Sequence, residues 1–222
     1  MRSLAFAIGL LGWSAAAPIS AQEAPAAAEL LFETHDWQAL RGNAALLYRY
    51  ERVSDPSFEQ VRSFSDTIRL VVRPGSAVDS RNVQVEMFSS PHRRPAGPFD
   101  EVTGNPILIL FLEQHLQTLV AAVGANPRYL RNAVRAGLRE KASVIATTAT
   151  YQGQPVSAWR VEMQPFAQDP HRTRMKGLDA LKYSFVTSER VPGEIHSIEI
   201  KAVTTDGRIL LQETLSYDPN GS

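Results

Sequence analysis

Six large apolar residues in succession, Ile107-Leu108-Ile109-Leu110-Phe111-Leu112, head an unbroken stretch that runs to Val123. Asn105-Pro106 precedes them and Gly124 follows. Asparagine can accept free backbone N–H groups as an N-cap, proline tolerates the first helical position, and glycine supplies the left-handed stop. The spacing predicts one helix over 107–123. At roughly 100° per residue, six consecutive positions encircle such a helix almost completely. A polar side develops only from Glu113 onward, through Gln114, Gln117 and Thr118. Burial of each Leu, Ile or Phe side chain contributes about 1.5–3 kcal/mol, so these turns demand cover on several sides. A flat sheet covers one side; a curved sheet covers more.

The rest of the chain offers such a sheet. Leu46, Tyr48 and Tyr50 alternate with Leu47, Arg49 and Glu51, a period of two that reads as a strand. Asp66 to Arg73 and Val83 to Met87 repeat the pattern, and Pro74-Gly75 separates them. From Ser89 to Gly104, prolines at 91, 95 and 98 break both regular periods. Asn126-Pro127 starts a second helix that should run to about Arg139. Beyond it lie strands at Ser143–Tyr151, Val156–Met163, Leu181–Thr187, Ile195–Val203 and Ile209–Tyr217. Gly153 and Asp206-Gly207 mark hairpin turns among them. Short turns require antiparallel neighbours. The expected fold is α+β: a curved, mostly antiparallel half-barrel of about eight strands wrapped around two consecutive central helices. One continuous sheet is expected, because either strand set alone would leave an apolar face uncovered.

This element order resembles the periplasmic lipoprotein-carrier architecture, in which an incomplete antiparallel barrel folds around helices. The resemblance implies an apolar groove between sheet and helices and carries no functional residue across.

The N-terminus gives an address. Arg2, the apolar run Leu4–Ala17 and the small-residue site Ile19-Ser20-Ala21 have the layout of a secretory signal peptide, with cleavage expected between Ala21 and Gln22. The apolar run is shorter than the 18 or so residues needed to span a bilayer. The expected organisation is a signal at 1–21, a flexible Ala-Pro leader at 22–29, a short helix within Leu30–Leu40, and a single α+β domain over 30–222. A periplasmic location follows from that reading.

Composition narrows function by exclusion. Twenty-three basic residues balance 23 acidic ones, which gives a nucleic-acid partner no whole-chain electrostatic basis. Lysine occurs only at 141, 176, 182 and 201; the other basic residues are arginines. The absence of cysteine rules out a lipidated cysteine, a disulfide scaffold and a thiolate metal site. Histidines at 35, 92, 115, 171 and 196 show no ligand spacing, and no serine elbow or phosphate-cradling glycine loop occurs. No metal or cofactor is expected.

Two sets of candidate residues remain. Leu108, Phe111, Leu112 and His115 on the first helix, with Trp159 on a strand, could line a cavity for a lipid or other apolar small molecule; packing in a dry core is the ordinary alternative. Arg128, Arg131, Arg135 and Arg139 fall within roughly 80° on the second helix. With Arg93 and Arg94 in the proline-broken loop, Arg128, Arg131 and Arg135 could contact an anion or an envelope protein, or simply be solvated. His171–Lys176 is a further basic loop. The leading expectation is a non-catalytic exported binder of a hydrophobic or lipid-like envelope component. The alternatives are an adaptor acting through surface loops over a closed core, and an enzyme whose site is assembled only by folding.

Overall fold

A computed structural model describes residues 24–32, 40 and 42–221. Its frame is a nine-stranded sheet formed by β1 (Ala44–Ser54), β2 (Phe64–Pro74), β3 (Arg81–Met87), β4 (Phe99–Val102), β5 (Ser143–Tyr151), β6 (Gln154–Met163), β7 (Lys182–Thr187), β8 (Ile195–Val203) and β9 (Ile209–Tyr217). The spatial order is β4-β3-β2-β1-β9-β8-β7-β6-β5, and every pairing is antiparallel. Each half is a simple meander. The halves meet where β1, the first strand, pairs with β9, the last. The sheet is curved and continuous, as the strand pattern predicts. The ninth strand is β4, within the proline-broken stretch, where four residues pair with β3 across a register shift. Four residues are too few to show a period.

Between the halves run α2 (Ile107–Val123) and α3 (Pro127–Ala136). Gly124 ends α2 at φ 68°, and its N–H returns to the Val120 carbonyl. Asn126 caps α3 by accepting the Arg128 N–H at 2.8 Å, with Pro127 in the first turn. At the head of α2 the pattern is displaced by one residue. Pro106 takes the cap position, while the Asn105 side chain still accepts the Ile107 N–H at 3.0 Å. The second helix was expected to reach Arg139; regular α-geometry ends at Ala136 and a wider turn continues over Gly137–Lys141. A short α1 (Ala27–Phe32) begins inside the stretch expected to be leader, with Ala27 and Leu31 buried. The expected signal segment, the cleavage site and residues 33–39 lie outside the described residues.

The two faces of the sheet divide by sequence parity. Leu46, Tyr48, Tyr50, Ile68, Leu70, Phe185, Ile198, Ile200, Leu211 and Leu215 join one buried cluster with Ile107, Leu108, Phe111, Leu116 and Leu119 of α2 and Leu130, Val134 and Leu138 of the second helical segment. This inner face carries the helices, as the apolar stripe of α3 requires. Alternate residues such as Arg69, Glu86, Glu162, Lys182 and Glu199 point outward. Coverage of α2 is less complete than six consecutive apolar residues suggest. Ile107, Leu108 and Phe111 are fully buried and Leu110 and Leu112 half-buried, but Ile109 is 56% exposed. The curved sheet leaves one line along the helix open, and Ile109 lies on it.

Candidate functional site

Beneath α2, the apolar interior is interrupted by polar groups. In strand register, Arg52 of β1 stands opposite Glu213 of β9, Glu213 opposite Ile200 of β8, and Ile200 opposite Tyr183 of β7. His115 and Thr118, three residues apart on α2 and therefore on one face, come down on this row. His115 Nδ1 lies 2.5 Å from Glu213 Oε2, and His115 Nε2 lies 2.7 Å from the Tyr183 hydroxyl. Glu213 Oε1 accepts the Tyr50 hydroxyl and, at 3.0 Å, the Thr118 hydroxyl. Arg52 donates to Thr118 Oγ1 at 2.9 Å and stands 3.8 Å from Glu213 Oε1. Its guanidinium also lies over the Phe64 ring, 4.7 Å from the centroid. His115 and Glu213 are both completely buried.

The protonation pattern follows from the donor inventory. An ionised carboxylate only accepts, so His115 Nδ1 carries a proton toward Glu213, while Nε2 and the Tyr183 hydroxyl share the second hydrogen bond of the ring. Burial by itself pushes the Glu213 carboxyl upward. The hydrogen bond and charge of His115, with Tyr50 and Arg52, outweigh burial and hold the carboxyl below its ordinary range. Burial and the Glu213 charge push the Tyr50 and Tyr183 hydroxyls well up, so both remain protonated. The carboxylate therefore meets a full set of donors. That satisfaction permits a charge in this position.

A second anchor sits at the head of α2. Asn105 Nδ2 donates to the Tyr48 hydroxyl and to the Gly193 carbonyl, both at 2.9 Å. Gly193 holds φ 73°, and a Cβ there would lie 2.6 Å from Asn105 Nδ2. Only glycine allows this approach. Together the two anchors tie both halves of the sheet to one helix. The Glu213 cluster has the proton-relay chemistry of acid–base sites, yet it is sealed from solvent, so in this conformation it fastens α2. Among the described residues, no group of three or more His, Asp or Glu side chains is placed to hold a metal ion.

The residues singled out from sequence fall into three places. Leu108, Phe111 and His115 are buried between α2 and the sheet, with Leu112 half-buried beside them. Trp159 is half-buried on β6, opposite Thr187 of β7 and away from the cluster. Arg128 and Arg135 are exposed on α3, whereas Arg131 is bound to Glu113 of α2 by two hydrogen bonds of 3.0 and 2.8 Å. Arg93 and Arg94 are exposed in the loop before β4. The adjacent His92 stacks on Phe64 with ring centroids 4.3 Å apart.

Sequence reasoning picked out His115 but not its partners. One signal was available: Glu213 occupies the inward phase of Leu211-x-Glu213-x-Leu215, a carboxylate where the period requires an oily residue. Arg52 stands likewise in phase with Tyr48 and Tyr50.

No protein-family model and no curated protein matches the chain. Among solved structures, the fold is similar to the lipoprotein LppX of Mycobacterium tuberculosis at 10% identity, with a TM-score of 0.32 over 82% of this chain and 88% of that one. No helix among the described residues is long and apolar enough to cross a membrane.

Proposed function

We propose that this chain is an exported, non-catalytic periplasmic binder of a hydrophobic ligand or lipid-like envelope component, with α2 standing over the inner apolar face where that ligand docks. Export follows from the signal-peptide layout at 1–21, with cleavage after Ala21. The observation that carries the reading is the manner in which α2 is held. It covers a curved apolar face, yet it is fastened there by a compact polar cluster around Glu213. Apolar substitutes for a buried charged cluster are often as stable or more so, so maximal stability does not account for the cluster. A geometry-dependent fastening that can be undone does. Release of α2 uncovers Leu108, Phe111 and Leu112 together with the inner strands, and an apolar ligand then replaces the helix contacts.

Native mass spectrometry of gently purified protein, before and after addition of phospholipid, tests the proposal. A retained or newly bound hydrophobic adduct is the expected result. A spectrum showing only the bare polypeptide under both conditions would sink it. One observation favours a second reading, an adaptor with a closed interior: Leu108, Phe111 and Leu119 are at most 1% exposed. The adaptor reading predicts the bare mass, together with loss of partner capture on charge reversal at the exposed Arg93 and Arg94.

A further inference from the structure

The outer face of the sheet carries a feature that the inner face does not explain. Strands β6, β7 and β8, with the segment 164–180, enclose an open cleft of about 1290 Å³. Lys182 and Lys201 line it and stand directly opposite each other in the β7–β8 register. Directly opposed side chains on one face have Cβ atoms about 4.5–5.5 Å apart, and like charges at that spacing destabilise a sheet. Among the described residues, neither ammonium enters an ion pair. Lys141 and Arg160 line the same cleft. Three of the four lysines in an arginine-rich chain thus gather in one place.

The carboxylates of the cleft do not cancel this charge. Glu162 and Glu199 occupy the next row along the strands, flanking Ser184. Glu199 accepts a hydrogen bond at 2.8 Å from Gln212 of β9. Four cations face two carboxylates, and a concave site focuses the surplus positive field. Two unpaired ammonium groups side by side match a group carrying two negative charges. A phosphate monoester carries about −1.5 to −2 at pH 7.

We propose that this cleft is a binding site for a phosphate monoester, gripped between Lys182 and Lys201 with Lys141 and Arg160 supplying the surrounding positive field. The site lies on the opposite face of the sheet from α2 and does not depend on the apolar-ligand reading. The phosphate can belong to a soluble metabolite or to a lipid headgroup, and the two sources are separable by experiment.

The test uses the mature full-length protein. Titration calorimetry with glycerol 3-phosphate reads the soluble source. Co-sedimentation with phosphatidylcholine vesicles, with and without phosphatidic acid, reads the headgroup. Binding in at least one arm is expected, weakened by added salt and reduced about tenfold or more in Lys182→Gln/Lys201→Gln, as loss of charged hydrogen bonds implies. Glu162→Gln should bind as well as the parent or better. Relief of the lysine–lysine repulsion should leave the thermal midpoint of the double variant unchanged or raised; if it fails to fold, Lys182→Gln alone gives the same readout. No binding in either arm, or equal binding by parent and lysine variant, overturns the proposal.

Discussion

Glu213 shows how a single buried charge is made tolerable. It has no solvent access, and its two oxygens are met by Tyr50, Thr118 and His115 with Arg52 close by. Glu213→Gln removes one partner of a buried pair, and a loss of about 3–5 kcal/mol in urea unfolding is expected. The same carboxyl sets part of the acid limb of stability. Its folded value lies below the ordinary 4.5, so its contribution is complete above the unfolded value and is lost as pH falls below about 4.5 toward the folded value. The urea midpoint of the parent should therefore drop more steeply with acidification in that window than the midpoint of Glu213→Gln. Parallel curves would show that the carboxyl is not held down. At the head of α2, Asn105→Ala deletes the acceptor of the Ile107 N–H and two donor contacts. A cost of about 1–2 kcal/mol, read from the shift in denaturation midpoint, is expected from the unmet Ile107 N–H and the stranded Gly193 carbonyl.

Helix α2 is the element on which the architecture turns, and its two sides should respond differently to truncation. Phe111 packs edge-on against Tyr50 with centroids 6.2 Å apart and is fully buried. Phe111→Ala should cost about 3–5 kcal/mol. Ile109, two residues away, is largely exposed, and Ile109→Ala should change stability by less than about 0.5–1 kcal/mol. Comparable losses at both positions, measured by chemical denaturation, would mean that α2 is rotated from the orientation described. The contact between α2 and α3 is milder. Arg131 and Glu113 are both partly exposed, so a double-mutant cycle should return a coupling of about 0.2–1 kcal/mol. Arg128 and Arg135 on the same helix as Arg131 are exposed.

At the scale of the molecule, the β1–β9 pairing turns two meanders into one sheet, with β4 and β5 as its edges. Amide protection should follow that order. Hydrogen exchange should be slowest in β1, β8 and β9, which are central and buried under α2, and fastest in β4 and along β5. Faster exchange in β1 than in β5 would contradict the strand order. The local code is strong in this chain. Alternation and turn signals located eight strands, Asn-Pro marked the start of both main helices and Gly124 the end of the first, and Gln152-Gly153 at φ 50° and 75° forms the two-residue turn that joins β5 to β6. These signals are legible because each depends on neighbours within a few residues. The four-residue β4 was illegible because it is shorter than one readable period. The partners of His115 lie 68 and 98 positions away along the chain, and no local pattern couples residues at that separation. The pairing of Lys182 with Lys201 likewise needs the β7–β8 register. Local sequence thus settled which segments extend, coil and turn, and that an oily helix required a curved cover. Which distant side chains meet beneath that helix, and which charges gather on the opposite face, depended on strand order and register, because those contacts exist only once strands separated in sequence are paired residue against residue in one sheet.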